Sequence, residues 1–290
     1  MSGRRAAVLG SPVGHSLSPL LHRAAYAALG LDGWRYDAVE CDAAALPGWV
    51  DGLGPEWVGL SVTMPGKRAA LQRADERTER AVAVGAANTL VRRPDGGWLA
   101  DCTDVDGVSG ALSDAGWAEP RTGTALVLGA GATAAAAIAA LAAMGLRYVV
   151  LLVRSTGRAD DAAACAQRFG MGVRVDVLEP GAQSVGLGPY LGVADYVADA
   201  DVVVSTLPAG AVDAELAGVL AGAPLVLDVV YHPWPTPLAD AVAGRGGQVA
   251  TGLDMLLHQA FGQVEQFTGR PAPWEAMRAV LPQLGTPGPG

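Results

Sequence analysis

The sequence predicts an α/β protein made of two successive α/β units and a helical C-terminal segment. Apolar runs of strand length alternate with helix-length periodic segments from Ala6 onward. The runs after residue 120 are almost wholly apolar, which is typical of strands buried on both faces of a parallel sheet. From Thr236 on the pattern is largely helical, and this segment is too small to form a core of its own. At 290 residues the chain is long enough for two cores, and we expect the C-terminal helices to return to the first.

The first unit begins with a strand, AAVLG. The segment SPLLHRAAYAALG predicts a helix with Ser18 as N-cap, Pro19 at its first position and Gly30 beyond its end. The remaining elements, in order, are the strand WRYDAVEC, the short helix AALPGWVDGL, the strand WVGLSVT, helices over 67–74 and 75–84, and a hairpin of NTLVRR and GWLAD around the turn PDGG.

The second unit follows an amphipathic helix over Asp104 to Ala115. Its strands are TALVLG, RYVVLLV, VRVDVL, DVVVST and APLVLDVV, and the C-terminal helices are PLADAVAGRG, GLDMLLHQAFGQVEQFTG and PWEAMRAVLPQL before a disordered GTPGPG end. We therefore divide the chain into residues 1–104 with 253–285, and residues 105–252.

Composition and charge exclude several classes of function. A net charge of −9 argues against a nucleic-acid surface, which needs clustered Lys and Arg. The apolar run near the N-terminus is too short for a signal peptide, and the one Ala-rich helix is too weakly hydrophobic for a membrane span. Cys41, Cys102 and Cys165 are odd in number and lack metal-site spacing. We expect a soluble, cytoplasmic protein without metal, nucleic-acid or membrane partners.

A glycine turn in LVLGAGATAAAAIAALAAMG predicts a nucleotide site. Gly129, Gly131 and Ala134 fit the pattern G-x-G-x-x-G/A between a strand and a helix. The first glycine permits a tight turn, the second lets the backbone approach a pyrophosphate, and the helix N-terminus attracts the anion. A tight turn without a ligand is the alternative, but the strand–turn–helix context favours a Rossmann-type unit.

The end of the next strand distinguishes the two nicotinamide cofactors. An NAD-binding unit places Asp or Glu there, whereas this chain has Arg154, Ser155, Thr156 and Arg158 and no acid before Asp160. Arginine and hydroxyl groups suit a 2′-phosphate. The alternative is an ordinary solvated turn, but the pattern favours NADP.

Three polar stretches upstream, SVTMPGK, GAANT and DCTD, interrupt an otherwise apolar region. They supply an amine, an amide, two carboxylates and several hydroxyls, which suit a small polyhydroxylated molecule. With a nicotinamide cofactor they predict a redox enzyme acting on a polyol or hydroxy acid. Hydride loss from a secondary alcohol needs a base, for which Lys67 and Asp104 are candidates. Burial lowers the pKa of a lysine from its free value of ~10.4, whereas a nearby carboxylate raises it.

These pieces in this order resemble the shikimate dehydrogenase family, from about Val8 to about Leu281. The resemblance is carried by GSPVGHSLSP, SVTMPGK, GAANT, DCTD, VRSTGR, YHPWPTPL and GLDMLLHQA. It implies a substrate domain, a Rossmann-type NADP-binding domain, and C-terminal helices that return to the substrate domain. The implied reaction is reversible oxidation of shikimate to 3-dehydroshikimate with NADP, in the pathway to aromatic amino acids. We expect a monomer or homodimer.

The resemblance also implies the role of each matching residue. Lys67 is the acid/base, with Asp104 as its partner. The substrate residues are Ser16, Ser18 and Tyr231 for the carboxylate, and Thr63, Asn88, Asp104 and Gln259 for the hydroxyls. The cofactor residues are Gly129, Ala130, Gly131, Ala132, Thr133, Arg154, Ser155, Arg158, Thr206, Leu207, Pro208, Gly252 and Met255. Met255 and Ser18 have structural alternatives, in the core and at the helix cap. The four histidines are interpreted as structural.

The chain departs from the family pattern at Ser61, Gly66, Cys102, Val153 and Thr251, where the family usually has Asn, an aromatic residue, Asn, Asn and Asp. None of these changes removes a proton-transfer group. Three alternative functions remain open: a quinate/shikimate dehydrogenase that prefers NAD, a dehydrogenase for an aminated shikimate, and a non-catalytic sensor of shikimate or nucleotide.

Overall fold

The computed structural model describes residues 3–117, 120, 122–178 and 190–281. Of these, one compact unit holds the residues of Met1–Gly107 and Leu256–Pro282, and a second holds those of Val108–Met255. Each unit is built on one six-stranded sheet. The mixed α/β class predicted from the sequence is confirmed.

The first unit contains a mixed sheet. Its strands are β1 (Arg5–Gly10), β2 (Arg35–Glu40), β3 (Trp57–Val62), β4 (Glu76–Arg77), β5 (Thr89–Arg92) and β6 (Trp98–Asp101), and its helices are α1 (Ser18–Ala28), α2 (Leu46–Asp51), α3 (Lys67–Arg73) and α4 (Glu79–Val84). The strand order is β2-β1-β3-β5-β6-β4. Because β5 is antiparallel to both β3 and β6, strands β1, β3 and β6 run in one direction and end at the same edge of the sheet.

The second unit contains a parallel sheet of the Rossmann type. After α5 (Asp104–Asp114) come β7 (Thr124–Leu128), α6 (Ala132–Ala143), β8 (Tyr148–Val153), α7 (Asp160–Arg168), β9 (Gly172–Val177), α8 (Leu191–Asp199), β10 (Val202–Ser205), α9 (Ala214–Leu220), β11 (Val226–Asp228), α10 (Pro237–Gly244) and β12 (Val249–Thr251). A 3₁₀ turn, Thr156–Arg158, lies between β8 and α7. The order is β12-β11-β10-β7-β8-β9, and all described pairs are parallel.

The C-terminal helices α11 (Gly252–Thr268) and α12 (Trp274–Ala279) complete the core of the first unit. Leu257 and Val264 of α11 and Met277 of α12 are buried in one cluster with Ala6 and Val8 of β1. On the other side of that sheet, α2 and α3 cover a second apolar cluster. The α11 side chains are thereby placed beside the strands that carry the polar motifs, as the predicted fold requires.

The start of α11 is fixed by a reciprocal cap. The Thr251 hydroxyl and backbone N–H both donate to Asp254 Oδ2, at 2.7 and 3.1 Å, and Asp254 N–H donates to Thr251 Oγ1 at 3.2 Å. This is a capping box with Asp as its acid. A Cβ at Gly252 would lie 2.1 Å from the carbonyl oxygen of Val229, so only glycine fits there. Thr251, a departure from the family pattern, therefore still caps the helix.

Two sequence-based helix boundaries are wrong. Helix α1 begins at Ser18 itself, with Leu17 at the cap and no side-chain capping bond, because Pro19 is tolerated anywhere in the first turn. The predicted helix over 75–84 begins only at Glu79, where the Thr78 hydroxyl accepts the N–H of Ala81 at 3.2 Å. The preceding Glu76–Arg77 pairs with β6 as a short strand.

Strand β12 interrupts the tail from Thr236, for which the sequence predicts helices. Its three residues are too few to show an alternating pattern, and pairing with β11 determines their conformation. The proposed end of the C-terminal segment at residue 285 and the GTPGPG end lie outside the described residues.

Candidate active site

Lys67 and Asp104 meet at the edge where β3 and β6 end. Lys67 is the first residue of α3, and Asp104 is the first residue of α5. Lys67 Nζ donates to Asp104 Oδ2 at 2.6 Å, and the two side chains are 12% and 8% exposed. The amine and carboxylate that the sequence supplied from separate motifs therefore form one almost buried ion pair.

The electrostatics of this pair keep Lys67 protonated. Burial disfavours the ammonium form, but the charge of Asp104 and its hydrogen bond more than compensate, so the pKa of Lys67 is raised above its usual value. An ammonium group that is stable at neutral pH is a proton donor. It acts as a base only after losing that proton.

Asn88 holds the other oxygen of Asp104. Asn88 Nδ2 lies 2.9 Å from Asp104 Oδ1, 3.0 Å from Thr103 Oγ1 and 3.1 Å from Gln259 Oε1. Its own Oδ1 accepts the Thr103 N–H at 2.8 Å. Both oxygens of Asp104 are thus bonded, one to Lys67 and one to Asn88, which fixes the carboxylate plane.

A glutamine row on α11 supports Asn88. Gln259 Nε2 donates to the Leu256 carbonyl at 2.9 Å, which leaves Gln259 Oε1 for Asn88. Gln263 Nε2 donates to the carbonyl of Asn88 at 3.2 Å, and Gln263 Oε1 accepts from Ser61 Oγ at 2.7 Å. Ser61, another departure from the family pattern, is therefore part of this network.

Sequence reasoning found Gln259 but missed Gln263 and Thr103. The missed signal was the spacing of Gln259, Gln263 and Gln266, at i, i+4 and i+7 on a helix whose neighbouring positions are apolar. Polar residues that share one face of a core-facing helix need buried partners.

The other predicted substrate residues occupy different places. Ser18 is buried and its side chain hydrogen-bonds with Tyr36, and Ser16 Oγ accepts the Ser18 N–H at 3.3 Å. Thr63, half-buried just after β3, forms no side-chain hydrogen bond with a described residue. Tyr231 lies in the second unit, where partial burial raises the pKa of its phenol. The structure thus joins Lys67, Asn88, Asp104 and Gln259 in one hydrogen-bonded cluster, and no direct hydrogen bond between described residues links Ser16, Ser18 or Thr63 to these four.

The glycine turn in the second unit has one glycine that the fold requires and one that it does not. Gly129 has φ = +104°, and a Cβ there would lie 2.4 Å from Thr206 Oγ1, which is itself bonded to the Leu128 carbonyl at 2.7 Å. Gly131 has φ = −81°, and no atom of a described residue beyond its chain neighbours lies within 4 Å of the position a Cβ would take. Because neither backbone nor packing demands Gly131, the open space beside it fits the close approach of a pyrophosphate.

The helix after this turn suits an anion. Helix α6 runs for 12 residues from Ala132, and Gly131 at its N-cap contributes no side chain to the first turn. The backbone N–H groups of the predicted residues Ala130, Ala132 and Thr133 belong to this turn and the start of the helix. A helix N-terminus of this length attracts a phosphate group.

Arg154, Ser155 and Arg158 are exposed directly after β8. Neither arginine forms an ion pair with any residue that the structure describes. Two guanidinium groups that have no acidic partner within the described part of the chain, beside a hydroxyl, fit a 2′-phosphate better than a ribose hydroxyl. Val153, which replaces the family's Asn, is buried as the last residue of β8.

The remaining cofactor candidates follow β10 or begin α11. Thr206 and Leu207 are half-buried and Pro208 is exposed, immediately after β10. Gly252 is the first residue of α11, and Met255 is buried one turn later. Their roles toward a cofactor stay predictions.

The cysteines and His22 are packed in the protein interior, where they serve the fold. Cys41, Cys102 and Cys165 are free and buried, and burial raises the pKa of the Cys102 thiol. His22 is fully buried, stacks on Tyr36 with ring centroids 4.0 Å apart, and lies 3.3 Å from Gln263 Oε1. Among the described residues, no three His, Cys, Asp or Glu side chains are grouped to hold a metal.

One more departure is explained by packing. A Cβ at Gly66 would lie 2.9 Å from both Leu46 Cδ1 and Val62 Cγ1. These side chains fill the space, so the aromatic residue usual in the family would not fit here without repacking.

None of the helices in the described part of the chain is long and apolar enough to span a membrane.

Comparison with known proteins identifies the family. A family model described as the shikimate dehydrogenase substrate binding domain matches residues 8–90, and one described as the shikimate 5'-dehydrogenase C-terminal domain matches residues 252–281. A shikimate dehydrogenase (NADP(+)) of Methylobacterium radiotolerans is 40% identical over 272 residues, which cover 91% of each chain. The chain belongs to the shikimate dehydrogenase family.

Solved structures of shikimate dehydrogenases support the same assignment. The enzyme of Mycobacterium tuberculosis is 53% identical, with a TM-score of 0.85 over 96% of this chain and 98% of that one. Shikimate 5-dehydrogenase of Thermus thermophilus, solved with NADP(H) and shikimate, is 30% identical, with a TM-score of 0.78 over 96% of this chain and 100% of that one. The resemblance seen in the motifs is thereby confirmed for sequence and fold.

Proposed function

We propose that this shikimate dehydrogenase family member catalyses the reversible oxidation of shikimate to 3-dehydroshikimate with NADP, in the pathway to aromatic amino acids. The observation that carries the proposal is the 2.6 Å contact between Lys67 Nζ and Asp104 Oδ2 inside the Asn88 and Gln259 network. Relatives named for this reaction and a neighbour solved with NADP(H) and shikimate support it.

The proton transfer follows from the charge state of Lys67. NADP, when bound, supplies the hydride acceptor. In the reductive direction, the Lys67 ammonium donates its proton to the carbonyl oxygen of the substrate, and its raised pKa keeps it charged until that step. In the oxidative direction, neutral Lys67 takes the hydroxyl proton. Asp104 aims Nζ and accepts a hydrogen bond from the reacting hydroxyl.

Substrate recognition is proposed to divide between two kinds of group. Asn88, Asp104 and Gln259 are held by one another, so they present fixed polar atoms to the ring hydroxyls. Thr63 adds a hydroxyl that has no partner among the described residues. Ser16, Ser18 and Tyr231 are assigned to the carboxylate, where several hydroxyl donors share one charge.

Cofactor recognition is proposed to use the turn for the pyrophosphate and the arginines for the 2′-phosphate. Gly129, Ala130, Gly131, Ala132 and Thr133 form the first part. Arg154, Ser155 and Arg158 form the second. Thr206, Leu207, Pro208, Gly252 and Met255 are assigned to the nicotinamide side. The open space at Gly131 supports a bound dinucleotide. The two exposed guanidinium groups, which form no ion pair with a described residue, support the choice of NADP over NAD.

The deciding experiment measures initial rates of nicotinamide reduction by the purified protein, crossing shikimate and quinate with NADP and NAD. We expect fast turnover only with shikimate and NADP. Turnover with quinate or NAD would instead indicate a quinate/shikimate dehydrogenase, and faster turnover of an aminated shikimate would indicate that paralogue. Shikimate binding without turnover in any combination would indicate a sensor.

We further propose a cytoplasmic enzyme that is a monomer or homodimer. Three free, buried thiols are compatible with a reducing compartment. Native mass measured at micromolar concentration distinguishes the two assemblies.

A further inference from the structure

Arg80, on α4, binds two carboxylates at once. Its Nε and Nη2 donate to Asp101 Oδ1 and Oδ2 at 2.6 and 2.5 Å. Its Nη1 lies 2.9 and 2.8 Å from the two oxygens of Asp106. One planar guanidinium therefore joins the last residue of β6 to the first turn of α5.

These two carboxylates flank Asp104 in the chain. Asp101 ends β6, Asp104 begins α5, and Asp106 follows two residues later. Asp101 is anchored further, because it accepts the Cys102 N–H and the Gln266 side chain, both at 2.8 Å. The segment that carries Asp104 is consequently held before and after that residue, because the carboxylates of Asp101 and Asp106 both bind Arg80.

We propose that Arg80 is a positioning residue for the reaction: by bridging Asp101 and Asp106, it holds Asp104 where its carboxylate meets Lys67 Nζ. The inference rests on the proposed function, because it assigns Arg80 an effect on the same proton transfer. Arg80 itself contacts neither member of the Lys67–Asp104 pair through a hydrogen bond between described atoms.

The charges explain why an arginine is required. The side chain of Asp101 is 6% exposed, and a buried carboxylate needs a partner. Burial alone would raise the pKa of Asp101, but the hydrogen bonds and charge of Arg80, together with the hydrogen bonds from Thr78 and the Cys102 N–H, lower it to about 2. Without Arg80, three carboxylates would crowd residues 101–106 opposite a single lysine. A lysine at position 80 could supply the charge but not the fork that spans two carboxylates.

The test is a double-mutant cycle on kcat for shikimate oxidation. Arg80→Gln is expected to lower kcat about 100-fold with little change in KM for shikimate, because displacement of a reacting group by about 1 Å costs that much. The kcat of Arg80→Lys should be as low as that of Arg80→Gln. In an Asp104→Asn background, Arg80→Gln should lower the single-turnover rate of shikimate oxidation less than threefold. A full, multiplicative loss in that background would overturn the inference, since it would show that Arg80 does not act through Asp104.

Two further variants protect the test from misfolding. Asp106→Asn weakens the outer, 46% exposed arm of the bridge, and we expect it to lower kcat about tenfold, again only when Asp104 is present. Arg73→Gln breaks a comparable pair with Asp51 on the same unit and should leave kcat unchanged. Equal losses in Arg73→Gln and Asp106→Asn would contradict the inference. Absence of turnover in the wild type would contradict the proposed function itself. That outcome differs from failure of the Arg80 inference, in which the wild type turns over shikimate and Arg80→Gln does so equally well.

Discussion

The candidate substrate site of the first unit and the cofactor turn of the second are built in opposite ways. In the first unit, Asn88, Asp104 and Gln259 are buried and already bonded to one another. In the second, Arg154 and Arg158 are exposed and unpaired within the described chain, and Gly131 contributes only space. One site is organised by its own protein contacts, whereas the other offers groups whose partners belong to a ligand.

This difference predicts how each site responds to substitution. A substitution in the buried network leaves neighbouring polar groups without hydrogen-bond partners, so it should lower turnover and stability together. A change at the cofactor turn removes a contact that the folded protein does not use, so it should affect affinity for NADP alone.

Replacing Lys67 by Ala should abolish most of kcat while leaving shikimate binding in place. General acid–base catalysis contributes about 10²–10⁴-fold, and no other amine among the described residues contacts Asp104. The measurement is kcat in both directions together with the dissociation constant for shikimate.

Arg68→Ala is the matched control, because it removes the exposed cationic neighbour of Lys67 on the same helix. It should retain wild-type kcat. Near-normal turnover by Lys67→Ala would remove Lys67 from the mechanism and leave the buried network as a structural feature only.

Replacing Arg154 or Arg158 by Gln should raise KM for NADP by about tenfold or more, because each charge-assisted hydrogen bond to a phosphate contributes about 1.5–3 kcal/mol. The smaller rate with NAD should not change, since NAD lacks the 2′-phosphate. Unfolding stability should also be unaffected, because both side chains are exposed.

Arg147→Gln is the control for this pair. Arg147 is exposed just before the opposite end of the same strand, and its guanidinium bonds only the Leu146 carbonyl among the described groups. If Arg147→Gln weakened NADP binding as much as Arg154→Gln, the effect would be one of net charge and not of a phosphate site.

Replacing the two turn glycines separates the requirements of the fold from those of the ligand. Gly129→Ala should destabilise the second unit by about 1–2 kcal/mol, because its φ is +104° and Thr206 occupies the Cβ position. Gly131→Ala should leave stability unchanged and raise KM for NADP about tenfold, since its methyl group would enter the space left for the pyrophosphate. Thermal unfolding and NADP titration of both variants decide this. Equal destabilisation by the two would show that Gly131 serves the backbone.

The sequence predicted the parts of the molecule that depend on local patterns. The longer strands of both sheets and the glycine turn follow from periodicity, and the existence of α1 follows from periodicity and from Pro19 and Gly30 at its ends. Local patterns could not determine β4 and β12, since two or three residues adopt a strand only because β6 and β11 lie beside them. Likewise, motif spacing indicated Lys67 and Asp104 but neither Gln263 on α11, which bonds the Asn88 carbonyl, nor Arg80 on α4, which bridges Asp101 and Asp106.

His22 lies at the inner end of the buried network and gives the last test of how tightly the first unit is organised. Burial disfavours its imidazolium form and lowers its pKa to about 3, against a weaker raising effect of the Gln263 hydrogen bond. The unfolded chain binds a proton near pH 6.5 and the folded chain does not, so His22 contributes stability above pH 6.5. That contribution is lost as the pH falls toward 3, by about 1.4 kcal/mol per pH unit.

Urea unfolding at pH 7, 6, 5 and 4.5 should therefore show a flatter pH dependence for His22→Phe than for the wild type, by up to about 1.4 kcal/mol per unit below pH 6.5. His15→Gln removes an exposed histidine of the same unit and should keep the wild-type slope. This window lies above the titration of most carboxylates, so Asp101, whose pKa is held at about 2, does not contribute to it. Parallel curves for His22→Phe and the wild type would mean that water reaches His22. The network would then be open to solvent, and the contrast between a closed substrate site and an exposed cofactor turn would no longer hold.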